Sequence, residues 1–294
     1  MKSEETYRSQ ITRRSARHLI RGVDYQVSEW GDRSRPLLVL LHGFNDTGSS
    51  FQFFVDALTK DWFVIAPDWR GFGESVHRAQ SYWFPDYIAD LDVLLELYSP
   101  QDPVRLLGHS MGANIGGLYA GIMPERVQAF INVEGFGLPE SNPHNAPANY
   151  RRWIEKSREL QAYSTYQNFS QLAQRIRKRN PRMAANKAMF VANLWAEQKD
   201  DGSVVLRTDP VHRLPNAVQY RRAEARACWE KISAPVLVVK GAESDFFSAA
   251  AKQAGPNDLG AHSTAESIEI PGAGHMVHFE QPGALAAAVE HFLA

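Results

Sequence analysis

The strongest constraint in this chain is a set of short, unbroken apolar runs separated by helix-length amphipathic stretches. Leu37–Leu41 places five apolar residues in a row, and residues 62–66 (Trp-Phe-Val-Ile-Ala) place five more. A strand with one face in water alternates apolar and polar side chains. One that is apolar throughout is covered on both faces, as in a parallel sheet between layers of helices. Residues 104–107 and Val127–Val133 read as further strands. Between the runs, residues 51–58 fit a short helix. Over residues 84–98, Ile88, Leu91, Leu95 and Tyr98 share a helix face, and Pro100 and Pro103 end it. Met111–Ile122 carries Ile115, Leu118, Tyr119 and Ile122 on one stripe. Strand–helix alternation of this kind produces right-handed crossovers and a mostly parallel sheet with helices on both faces, an α/β architecture. A strand pair turned near Gly22 precedes it.

The alternation stops near Phe136. From Pro139 to about Arg222 the chain is polar and helix-forming, with Trp153, Tyr163, Tyr166, Phe169, Phe190 and Trp195 spaced through it, and sheet-like runs return only at Pro235-Val236-Leu237-Val238-Val239. So many large aromatics need something to cover. The expected organisation is a first core part over residues 1–136, a helical cap or lid over 137–225, and a second core part over 226–294. A chain of 294 residues is long enough for this. The second part adds a strand at Ile268-Glu269-Ile270 and a closing helix from Pro282 with Leu285, Val289, Phe292 and Leu293 on one face.

Chemistry is carried by four separated segments. Gly108-His109-Ser110-Met111-Gly112 is a G-x-S-x-G pentapeptide between a strand and a helix, the context of a nucleophile elbow. The glycines keep Cβ atoms away where strand and helix cross, and the following helix aims its N-terminus at the serine. His42-Gly43-Phe44 follows the first buried strand. The backbone amides of Phe44 and Met111 are the expected donors of an oxyanion hole, while His42 is read as ordering its loop. Gly274-His275-Met276-Val277-His278 supplies the expected base, His275, with His278 a neighbour or decoy. His212, His262 and His291 read as surface residues. For the acid, Asp245 in Gly241-Ala242-Glu243-Ser244-Asp245 is expected to receive the imidazole Nδ1 proton. Glu243 and Glu134, the latter ending the preceding strand, are its rivals.

Together these segments resemble the α/β-hydrolase superfamily. Pro67-Asp68-Trp69-Arg70-Gly71-Phe72-Gly73-Glu74-Ser75 resembles that family's loop after the fourth strand, which is structural, and Gly274-His275 with Phe279-Glu280-Gln281-Pro282 resembles its C-terminal histidine block. The resemblance covers residues 20–135 and 230–294. The family more often places Asp three residues after Gly in its acid turn, so Asp245 departs from the pattern. Serine at the elbow separates the chain from relatives that use aspartate there and implies an acyl-enzyme.

The resemblance implies an ester hydrolase for short- to medium-chain or aromatic acyl and alkyl groups, acting on a small-molecule ester with no metal or organic cofactor. Lactonase, thioesterase, carbon–carbon hydrolase and perhydrolase chemistry use the same catalytic set, and a non-catalytic hydrolase-like binding protein is the reading from another class. A net charge of −1 provides no field to draw the chain to nucleic acid. Cys228 is the single cysteine, no apolar run approaches the ~20 residues of a membrane span, and no signal-like apolar stretch follows the polar N-terminus. The Glu4-Glu5 pair argues against a transit peptide, and a cytoplasmic address is expected. The basic stretch from Arg175 to Arg182 is read as the solvated face of a helix.

Overall fold

The computed structural model describes residues 6–75, 79–159, 161–246 and 265–294. Its central sheet has eight strands in the order β1-β2-β4-β3-β5-β6-β9-β10. These are β1 (Arg14–Ile20), β2 (Val23–Trp30), β3 (Leu37–Leu41), β4 (Phe63–Pro67), β5 (Val104–His109), β6 (Val127–Val133), β9 (Val236–Gly241) and β10 (Glu266–Ile270). The first two pair antiparallel around Arg21 and Gly22, β2 lies antiparallel to β4, and every other pairing is parallel.

The all-apolar strands are buried on both faces. Val39 and Leu41 of β3 enter one core with Ile65, Leu106, Phe130 and Val238. Leu38 and Leu40 enter the opposite core with Val64, Leu107, Ile131 and Val239. Helices α2 (Phe84–Tyr98), α3 (Met111–Ile122) and α7 (Arg222–Trp229) cover the first face, and α1 (Gln52–Val55) and α9 (Pro282–Phe292) the second. A four-residue helix, α8 (Val277–Glu280), precedes α9.

Between β6 and α7 lies the region expected as a cap. It contains α4 (Ala146–Ser157), α5 (Phe169–Arg179) and α6 (Ala185–Trp195), and also a short antiparallel hairpin, β7 (Ala196–Gln198) and β8 (Val204–Leu206). The hairpin departs from the all-helical expectation. Its turn carries Asp201-Gly202, with Gly202 at φ +82°, which suits glycine. Leu172, Ile176, Val191 and Ala192 form a third core, joined to the main body through Phe53 and Phe279. Helix α7 belongs with the main body, because it packs on α3 and Trp229 reaches Gly117. Arg175, Arg177, Lys178 and Arg179 point to solvent from α5. No helix among the described residues is long and apolar enough to cross a membrane.

Candidate active site

The chain leaves β5 at His109 and enters α3 at Met111, so one residue makes the whole turn. That residue is Ser110, held at φ 52° and ψ −114°. A non-glycine residue at positive φ is strained, and here the strain lifts the side chain clear of the sheet. The turn is possible because Gly112 passes against β3, where a Cβ would collide with the Leu41 carbonyl oxygen.

Ser110 Oγ lies 3.0 Å from His275 Nε2, and His275 Nδ1 lies 3.1 Å from Glu134 Oε2. The three groups thus form a chain in which the serine hydroxyl donates to Nε2 and the Nδ1–H donates to the carboxylate. Glu134 is completely buried at the end of β6, at φ 59°. Its Oε1 accepts the Gly241 amide at 2.7 Å and its Oε2 the Ser244 hydroxyl at 2.5 Å. A buried carboxylate with three donors in addition to charge is held in one orientation.

Of the carboxylates weighed from the sequence, the one that meets the imidazole is Glu134. Asp245 is exposed, and among the described residues the Nδ1 partner of His275 is Glu134. Glu243 is also turned outward, paired with Arg182. The turn expected to supply the carboxylate supplies the donors that hold it instead. The physical reason is local: Glu134 bends back under the site through its positive φ, whereas Asp245 begins a helical turn facing solvent.

Phe44 and Met111 flank the serine. Met111 is the first residue of α3, where an amide has no partner inside its helix. Phe44 follows Gly43, whose close approach leaves no room for a side chain, since a Cβ there would come 3.2 Å from Ser110 Cβ and 2.9 Å from His109 Nδ1. No carbonyl among the described residues takes the Phe44 N–H. His42 orders this loop as read from the sequence. Nδ1–H donates to the Gly43 carbonyl at 2.7 Å and Nε2 accepts the Trp69 amide at 2.8 Å. Complete burial pushes its pKa down to about 4, so the ring is neutral.

The site is tied to the rest of the molecule by groups the sequence reading left unassigned. Asp46, two residues after Phe44, accepts the indole N–H of Trp195 from α6 at 2.8 Å and faces His278 Nε2 at 3.2 Å. His109 Nε2 donates to the His275 carbonyl at 2.8 Å. Glu280 accepts the Gly274 amide at 2.7 Å and is met by Arg182, which brings the end of the basic stretch to the histidine loop. His212 is not a surface residue: it stacks between Phe72 and Tyr82, with Phe44 at its edge. His262 lies outside the described residues. Phe246 closes the other side, its ring 4.5 Å from that of His275. Asp46, His109 and His278 are the one group of described residues able to converge on a metal ion.

A family model described as the alpha/beta hydrolase fold matches residues 36–282, and the chain belongs to that family. Among curated proteins it is 25% identical to a serine hydrolase-like protein of Danio rerio over 90% of this chain and 83% of that one. It is 28% identical to a 3-hydroxybutyrate-oligomer hydrolase of Cupriavidus necator, over 90% and 91% of the two chains. Among solved structures, a thioesterase domain from the curacin biosynthetic pathway superposes with a TM-score of 0.84 at 22% identity, over 95% of this chain and 99% of that one.

Proposed function

We propose that this chain is a serine esterase that hydrolyses small carboxylic esters through an acyl-enzyme, with Ser110, His275 and Glu134 as its triad. The observation that carries the reading is the continuous chain from Ser110 Oγ to His275 Nε2, and from His275 Nδ1 to Glu134, at 3.0 and 3.1 Å. In the proposed cycle His275 takes the serine proton as Oγ attacks the ester carbonyl, and Glu134 stabilises the imidazolium. The amides of Phe44 and Met111 receive the oxyanion. His275 then protonates the leaving alcohol, and water repeats the steps to release the acid. The residues of each step belong to this chain, and the cycle calls for no cofactor.

The segment over residues 137–221 acts in this reading as the cap, with α7 returned to the main body. The exposed rings of Phe44 and Phe246 beside the site favour apolar acyl or alkyl groups of short to medium length, or aromatic ones. The curated relative named for hydrolysing 3-hydroxybutyrate oligomers is consistent with an ester bond as the target.

A panel of p-nitrophenyl esters together with a fluorophosphonate probe tests the proposal. Turnover of the acetate-to-octanoate range and a single phosphonylated residue at Ser110, both lost in Ser110→Ala, are expected. Labelling at another residue, or no turnover of any ester by a folded protein that takes up the probe at Ser110, would overturn the esterase reading.

A further inference from the structure

We propose that Asp46, His109 and His278 form a binding site for one zinc-like transition-metal ion directly beneath the hydrolytic centre. The three side chains come from three different segments, namely the loop after β3, the elbow, and α8. Each is essentially buried, at 2%, 1% and 0% exposure. One ligand atom from each lies within 4.8 Å of the others.

Two further features point to a ligand. His109 spends its Nε2–H on the His275 carbonyl, which leaves Nδ1 as a bare lone pair, and that atom has no partner. It faces the Gly43 segment that leads to Asp46, since a Cβ on Gly43 would sit 2.9 Å from it. The Nδ1 of His278 also has no partner, which leaves it open to take the ring proton when Nε2 turns to a metal. A buried nitrogen lone pair with nothing to accept is costly to keep, and a cation or a donor relieves it. Two imidazoles and one carboxylate suit zinc, cobalt, nickel or copper rather than magnesium or calcium, which want all-oxygen shells.

The geometry also couples the site to the chemistry. Bonds of about 2.0–2.2 Å from nitrogen and oxygen to zinc set ligand atoms roughly 3.4 Å apart in a tetrahedron, so a triangle with edges of up to 4.8 Å must tighten. The His278–Asp46 hydrogen bond gives way to coordination, with the imidazole proton passing to Nδ1. Asp46 carries the Phe44 loop with it, and His109 carries the His275 carbonyl. Occupancy therefore lowers turnover at Ser110.

The test uses the full chain with zinc chloride as the probe. Calorimetric titration of a Ser110→Ala/His275→Ala double variant removes the catalytic imidazole as a competing ligand. One equivalent of zinc is expected to bind, reversibly to a chelator, and His278→Gln or His109→Asn in that background is expected to weaken it at least tenfold. Wild-type turnover is expected to fall with the same one-equivalent saturation. X-ray absorption on the zinc-loaded double variant needs no destabilising substitution and is expected to show two imidazoles in the shell. No saturable uptake by the double variant, or a shell with fewer than two imidazoles, would overturn the proposal. Because that variant lacks the serine and the base, its binding is independent of whether Ser110 hydrolyses esters.

Discussion

Glu134 owes its position to three backbone facts: β6 ends at Val133, the next residue takes φ 59°, and the following Gly135 amide is caught by Asn132 at 2.8 Å. These turn the carboxylate under the site, and the Gly241 amide and Ser244 hydroxyl hold it there. Ser244→Ala removes one charge-assisted hydrogen bond, worth about 1.5–3 kcal/mol. We expect kcat/KM for p-nitrophenyl butyrate to fall about tenfold or more, mostly in kcat, since the base loses orientation rather than substrate affinity. A change confined to KM would argue against a positioning role. Ser110, His275, Phe44 and Met111, the residues proposed as nucleophile, base and oxyanion donors, were marked in the sequence because each sits in a short motif whose spacing fixes its geometry. The acid was not. Glu134 and Asp245 both follow core strands, and which carboxylate reaches His275 depends on a single φ angle and on where the next turn points. Neither is written in local composition.

At the scale of elements, α2 and α6 are tied to the loops beside the site by buried polar contacts. Asp90 of α2 is fully buried and receives Arg70 through two bonds of 2.5 and 2.7 Å, as well as the Tyr25 hydroxyl at 2.6 Å. Removing one partner of such a pair strands a charge, so Asp90→Ala should cost about 3–5 kcal/mol, read as a lower urea midpoint. Trp195 of α6 donates to Asp46. Trp195→Phe keeps an aromatic ring but loses the indole N–H together with the five-membered ring that carries it. We expect a loss of about 1.5–3 kcal/mol and faster limited proteolysis within residues 137–221, with cleavage elsewhere unchanged. The main-body elements were readable from their patterns: α2 and α3 run over the expected residues, and the apolar runs are the strands. The β7–β8 hairpin was not, because three-residue strands carry no periodicity and its Asp201-Gly202 turn is a signal of only two residues.

The whole molecule keeps several histidines neutral in its interior. Burial lowers His42 and His212 to about 4, and burial with the neighbouring His278 and His275 lowers His109 well below its usual value. A histidine whose folded pKa lies below its unfolded value of about 6.5 takes up its proton on unfolding. Its stabilising contribution is whole above pH 6.5 and is lost as the pH falls toward 4. For His42 alone the shift amounts to roughly 3 kcal/mol. We expect Tm to drop steadily between pH 6.5 and 4, and His42→Gln to flatten that slope while lowering Tm at pH 7. A stability that rises toward pH 4 would contradict the neutral, buried state of these rings. The same packing serves the site, since His42 sets the Phe44 loop and His109 sets the His275 carbonyl.

A hydrolytic triad closed by Glu134 is tested most directly by steady-state kinetics on two variants. With p-nitrophenyl butyrate as substrate, Glu134→Gln should lower kcat by about 10³–10⁴, the scale for an imidazole left without its carboxylate, while Asp245→Asn should stay within about threefold of wild type, as surface changes do. The opposite pattern, with Asp245→Asn inactive and Glu134→Gln near wild type in folded proteins, would contradict the account.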